Sequence, residues 1–189
     1  LVFRDPLLLC GALYLLLWFD ASGFLRIGLC AAILHEIGHI FVYLLLFRRF
    51  PVIEVTMTGF CMRTRGQVLT RGQTFLLAAA GPGMNGLLAA IWAMRMEQCA
   101  TIRGSAFLAA NLLTGAFNLL PIPPLDGYHL VNDLLFKGKL QLKRQAFVIA
   151  QIVLIVIFMS GALDQFLSKA IFAVYEFFLK GFLAIFGLS

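Results

Sequence analysis

His35-Glu36-Ile37-Gly38-His39 sits in the middle of an apolar run from Phe24 to Phe47. The flanking residues are Leu, Ile, Ala, Cys, Gly, Val, Phe and Tyr, with Arg26 near the start. On a helix, His35 and His39 stand one turn apart on the same face, so two imidazoles can bind one metal ion. Glu36 lies beside them and can take a proton from a metal-bound water. A metal in such a setting lowers the pKa of its water to about 7, and a carboxylate then acts as base. A lone His in an apolar helix is more often a satisfied core group than a ligand. Here two His and a Glu fall within five residues of a run long enough to span a membrane. Each ionisable group at a bilayer centre costs on the order of 2.5 to 3.5 kcal/mol, so such groups persist mainly where they pair or work.

Composition supports the membrane setting. The chain has 189 residues, 61% hydrophobic and 13% charged, well away from the balance of a soluble domain. The fold class expected is an all-α polytopic membrane protein, one domain over residues 1–189, because helices satisfy their own backbone hydrogen bonds in lipid. The net charge of +6 is not a nucleic-acid signature, since the basic residues fall mostly in loops, where they set topology. Cys10, Cys30, Cys61 and Cys99 are dispersed without a CxxC pair and read as small apolar fillers.

About six transmembrane helices are expected. They run from Leu7 to Phe19, Phe24 to Phe47, Phe75 to Met94, Gly104 to Leu120, Ala146 to Met159 and Phe166 to Phe186. The first apolar run reads as a retained span and not a cleaved signal. Between the second and third spans the pattern changes. Residues 51–58 alternate and are rich in β-branched side chains, Gly59 is a turn candidate, and residues 60–65 alternate again. This predicts a small β-hairpin or sheet insertion. An edge strand there, either 52–58 with Val52, Glu54 and Val55 or 60–65, could receive an extended substrate by β-augmentation. The third span holds Gly81-Pro82-Gly83-Met84-Asn85, and Pro82 between two glycines predicts a kink or unwinding. In the fourth span Asn111, Thr114 and Asn118 form one polar stripe facing the bundle interior, a route for water. Pro121, Pro123 and Pro124 end that helix, and Asp126 can cap a new one reaching Phe136.

Hydrolytic zinc usually takes three protein ligands. The chain has only three His, and Val42 and Leu45 rule out an extended His ligand downstream of the motif. Asp126 is favoured, because the prolines would hold its backbone rigidly. His129, one turn further on, and Glu54 are rivals, and Cys30 is a more remote one.

Taken together, His35-Glu36-Ile37-Gly38-His39, Gly81-Pro82-Gly83-Met84-Asn85 and the stretch Asn118-Leu-Leu-Pro-Ile-Pro-Pro-Leu-Asp-Gly127 resemble the site-2 protease family of intramembrane metalloproteases. The match is best to its compact bacterial and archaeal members, including the type that activates a sporulation transcription factor. The resemblance covers nearly the whole chain. It implies one zinc per chain on His35, His39 and Asp126, with Glu36 as general base and acid. It also implies that Asn118 holds the substrate backbone or the developing oxyanion, with Asn85 a further candidate for substrate binding. Pro123-Pro124-Leu125 stands where some members carry Asn-Pro, which leaves the Asp in place. No PDZ or CBS domain is visible.

The expected function is hydrolysis of a peptide bond in or near a transmembrane segment of a membrane-protein substrate. The expected partners are that substrate, the lipid bilayer and regulatory membrane proteins, with no nucleic acid. The expected location is a prokaryotic cell membrane, multi-pass, with both termini cytoplasmic. The metal would then lie roughly 12 Å below the cytoplasmic end of its helix. Two alternatives from other classes remain: a proton or ion transporter using His35, Glu36 and His39 as a relay, and a non-catalytic module that binds transmembrane helices.

Overall fold

The computed structural model describes residues 2–3, 6–56, 59–63, 69–98, 101–139 and 144–159. In chain order these form β1 (Val2–Phe3), α1 (Pro6–Trp18), α2 (Phe24–Phe47), β2 (Val52–Thr56), β3 (Gly59–Arg63), α3 (Arg71–Gln98), α4 (Ile102–Asn118), α5 (Asp126–Leu135) and α6 (Arg144–Met159). The expected sixth span, from Phe166 to Phe186, lies outside the described residues.

Two of these helices, Phe24–Phe47 and Arg71–Met96, are long and apolar enough to cross a membrane. The way α2 distributes its residues carries more weight than its length. Ala31, His35, His39 and Tyr43 are buried along one face, while Ile33, Ile37, Phe41 and Leu45 are exposed on the other. The polar motif faces inward and the aliphatic and aromatic side chains face outward. A helix in water would do the reverse; in lipid the arrangement buries the costly groups and leaves the outer face in a solvent of its own kind.

Local chemistry sets the helix ends. Asp20 accepts the backbone N–H groups of Leu25 and Arg26 at 3.3 and 3.1 Å, which satisfies two orphan donors in the first turn of α2. At the other end Arg48 takes a left-handed conformation (φ 51°) and its N–H donates to the Leu44 carbonyl. Thr70 and Gln73 form a reciprocal capping box at the start of α3. The Thr70 N–H donates to Gln73 Oε1 at 2.9 Å, and the Gln73 N–H donates to Thr70 Oγ1 at 3.4 Å.

Contrary to the expected unwinding, α3 runs unbroken as a helix through Pro82. Proline supplies no N–H to the carbonyl one turn back, that of Ala78, and the helix carries this loss without ending. Helices α2, α3 and α4 pack on one another and α5 docks against α3. Close approach needs bare backbone: a Cβ on Gly38 of α2 would stand 2.7 Å from the Ala80 carbonyl oxygen and 2.8 Å from Met84 Cβ on α3.

The sheet has the order β1-β2-β3. Antiparallel pairing joins β2 and β3 with Glu54 opposite Cys61 and Val55 opposite Phe60, and parallel pairing joins β1 and β2 with Val2 opposite Glu54 and Phe3 opposite Val55. This removes the 52–58 strand from the edge and leaves the second of the two expected strands there. Val52, Glu54 and Val55 belong to the central strand, and at Glu54 and Val55 both sides of the backbone face a neighbouring strand. Among the described residues the five-residue free edge is that of β3.

Replacing Thr70 by Ala should destabilise the protein by about 1 kcal/mol through loss of the capping box, while Thr70→Ser should keep most of it. Thermal unfolding of the two variants in the same detergent checks this.

Candidate metal centre

Two helices bring three donor atoms to a common point. His35 and His39 come from the inner face of α2, and Asp126 from the first residue of α5. Their ligating atoms all lie within 4.8 Å of one another, and no other group of three or more His, Cys, Asp or Glu side chains is so placed among the described residues. His35 Nε2 stands 3.0 Å from Asp126 Oδ2, His39 Nε2 stands 3.2 Å from the same oxygen, and the two Nε2 atoms are 3.2 Å apart.

The remaining nitrogens decide what this triangle is. His39 Nδ1 is 2.8 Å from the Leu77 carbonyl, which can only accept, so Nδ1 carries the hydrogen. His35 Nδ1 is 2.6 Å from Asn85 Oδ1. The orientation of that amide follows from its other end, where Asn85 Nδ2 donates to the Ala31 carbonyl at 3.2 Å. Asn85 therefore offers its oxygen to His35, and His35 Nδ1 also carries the hydrogen. In the neutral rings both Nε2 atoms then hold lone pairs. Two lone pairs and a carboxylate oxygen face one another inside a buried site with no donor between them.

Only a cation resolves that arrangement. A proton could fill it by charging one ring, whose Nε2–H would then donate to Asp126. One divalent metal satisfies all three donors at once. Tetrahedral donors about 2.1 Å from a zinc ion stand roughly 3.4 Å apart, a few tenths of an ångström wider than the spacing here. The donor set therefore fits a zinc site with a fourth position open. Both rings also have the outer hydrogen bond typical of metal-bound histidine, one to a backbone carbonyl and one to a side-chain amide. Asp126, as a carboxylate, would supply the charged oxygen donor that a metal requires.

Two glycines make the site physically attainable. A Cβ on Gly81 of α3 would overlap His39 Nε2 and His35 Nε2, so the bare Cα forms the wall beside the donor atoms. A Cβ on Gly127 would run into the carbonyl oxygens of Leu119 and Leu120, so only glycine lets α5 begin this close to the end of α4. Asp126 is thereby delivered to the histidines. Its side chain does not cap α5 as expected; Leu125 occupies the N-cap position with no side-chain hydrogen bond, because the carboxylate is turned inward.

The other candidate residues fall in various places. Glu36 is half-buried on α2 next to His35. Asn85 is completely buried, with its amide taken by His35, Ala31 and Asn111, so it acts on the imidazole and not on an open surface. Asn118 is half-buried at the end of α4, one N–H donating to the Thr114 carbonyl at 2.9 Å. Val52 is half-buried in β2, and the side chains of Glu54 and Val55 lie outside the described residues. The rival ligands His129 and Cys30 are exposed and outside the donor group. Asn111, expected on a water route, is wholly buried. Reading the chain alone missed the Leu77 and Ala31 carbonyls and the role of Gly81, since backbone acceptors and empty space leave no mark in a sequence.

The fold is that of a site-2 protease: the solved Site-2 Protease from Methanocaldococcus jannaschii matches with a TM-score of 0.56, covering 92% of this chain and 84% of that one at 18% identity. Residues 100–161 match the model of Peptidase family M50. A Bacillus subtilis (strain 168) protein named "Putative zinc metalloprotease YwhC" is 34% identical over 125 residues, 59% of this chain and 57% of that protein. The matched stretch thus spans little more than half the length of that relative. These likenesses bear out the resemblance to site-2 proteases of the M50 peptidases that the motifs carry.

Gly81→Ala and Gly127→Ala should each weaken zinc binding by about a hundredfold, the upper end of what disturbance around a metal site costs. The first crowds the donor nitrogens and the second withdraws Asp126. Competition titration with a zinc chelator checks both, and near-parent affinity in either variant would contradict the packing described.

Proposed function

We propose that this chain is an intramembrane zinc metalloprotease, a single membrane-embedded domain that hydrolyses a peptide bond in or near a transmembrane segment of another membrane protein. The observation that carries this reading is the all-acceptor triangle of His35, His39 and Asp126, held inside helices whose outer face is apolar. The names of the relatives support it.

When bound, zinc polarises the scissile carbonyl and makes a water acidic enough to attack at neutral pH. His35 and His39 supply neutral Nε2 donors, and Asp126 supplies a negative one. The Glu36 carboxylate accepts the proton of the attacking water and returns it to the leaving nitrogen. Asn118 has one N–H committed to Thr114 and offers the other to a substrate carbonyl or to the developing oxyanion. A transmembrane helix hides its carbonyls in its own hydrogen bonds, so the substrate must open locally first. The free edge of β3, Gly59–Arg63, can replace the lost bonds by pairing with the opened segment. The excess of basic residues in the loops supports a cytoplasmic location for both termini, with the site nearer that side.

A relay would need no metal and would carry ions; a helix-binding module would tolerate loss of Glu36. The peptidase reading expects about one zinc per purified chain, retained in Glu36→Gln and strongly weakened in His35→Ala and Asp126→Ala. It also expects cleavage of a membrane-protein substrate to fall by at least about a thousandfold in Glu36→Gln, on the scale set by general-base catalysis. Ion flux into vesicles without metal, or full activity in Glu36→Gln, would replace this reading with one of the alternatives.

A further inference from the structure

Asn111 has no place in the chemistry described so far, yet it is wholly buried in α4, as is Asn85 in α3. A buried amide is costly unless its donors and acceptor are matched, and here they are matched in a fixed order. Asn111 Nδ2 donates to the Phe107 carbonyl of its own helix at 2.9 Å. Because that carbonyl only accepts, Asn111 must turn its oxygen the other way. Asn111 Oδ1 then accepts from Asn85 Nδ2 at 2.9 Å. With its NH2 drawn to Asn111 and to the Ala31 carbonyl, Asn85 presents its oxygen to His35 Nδ1 at 2.6 Å. One turn along α4, a Cβ on Gly115 would stand 3.3 Å from Asn85 Cβ, so α4 is held close enough for the contact.

The geometry points to Asn111 as a positioning residue for the metal centre: through Asn85 it selects the His35 tautomer whose Nε2 lone pair faces Asp126 and His39. If Asn85 flipped, its NH2 would face His35 Nδ1. The ring would then accept there and carry its hydrogen on Nε2, which removes the donor. Against that flip stand two acceptors, the Ala31 carbonyl and Asn111 Oδ1, and Asn111 is the closer. The second ligand has no such dependence. His39 takes its orientation from the Leu77 backbone, whose polarity cannot be reversed. The two imidazoles are thus controlled separately, one by a chain of amides and one by the main chain. The link to metal binding rests on the proposed zinc site; the effect on the ring does not.

The experiment uses the full chain in detergent with 15N-labelled histidine, metal-free and at mildly alkaline pH. The chain has only three His, and exposed His129 serves as the internal reference. In the parent, His35 and His39 should both show the Nδ1–H tautomer. In Asn111→Leu, which keeps the volume and removes the acceptor, His35 should become a mixture of tautomers while His39 stays as it was, and zinc affinity should fall about tenfold. Asn111→Asp should restore the parent pattern, since an Asp carboxyl keeps an oxygen that accepts from Asn85 Nδ2 whether or not it is ionised. An unchanged His35 in Asn111→Leu, or His35 and His39 changing together as in a general packing defect, would overturn the proposal. If Asn111→Leu does not fold, the Asn111→Asp spectrum still decides, because a changed His35 tautomer there also overturns it. A parent that binds no zinc would overturn the metalloprotease reading, while the tautomer comparison would still judge Asn111.

Discussion

His35, His39 and Asp126 place three electron-pair donors within about a hydrogen-bond length of one another, and much of the surrounding structure serves to hold that unfavourable arrangement. Lone pairs repel. What keeps them together is the commitment of the outer ring nitrogens and the amides behind them. The two Nδ1 hydrogens are taken by Leu77 and Asn85, and Asn85 is in turn held by Ala31 and Asn111. Four segments of the chain are thus joined through polar contacts in a bundle whose outer face is largely apolar. In lipid there is little hydrophobic drive for helices to associate, so such contacts and close small-residue packing must supply it.

Small residues act here less as flexible points than as absences. Gly38 lets α2 and α3 touch, Gly81 leaves the space beside the imidazoles, Gly115 brings α4 up to Asn85, and Gly127 lets α5 start against the last carbonyls of α4. Each sits one atom away from a collision. A site proposed to hold a metal and admit an opened peptide needs room between helices that are otherwise tightly packed, and removing a Cβ is the least disruptive way to make it. The helical passage of α3 through Pro82 fits the same logic, since the flanking contacts hold the helix where propensity alone would break it.

The sheet shows a different relation between local pattern and tertiary outcome. Alternation between residues 51 and 65 was a sound sign of extended chain, and the strands formed are Val52–Thr56 and Gly59–Arg63. Which strand lies at the edge was not contained in that alternation. It depends on Val2–Phe3, some fifty residues away, pairing alongside Glu54 and Val55. That leaves β3, and not β2, with the open edge. Likewise Asn111 and Asn118 share a stripe by spacing, yet one is locked in the interior and the other remains half-buried near the end of its helix, because neighbouring helices cover a stripe unevenly along its length.

By itself the sequence determined the chemistry of the site and its setting. Two histidines four apart on a helix necessarily share a face, the apolar run around them is long enough for a bilayer, and the Asp-Gly after three prolines marks a second rigid point. These follow from covalent spacing and side-chain type, which no fold can alter. Only the tertiary structure decided that Asp126 and not His129 meets the histidines, that Asn85 and Asn111 serve the His35 ring, and that Gly81 is left bare beside the donors. Those outcomes depend on distances between residues remote in the chain and on which face of each helix its neighbours cover, and neither quantity is a property of any local stretch.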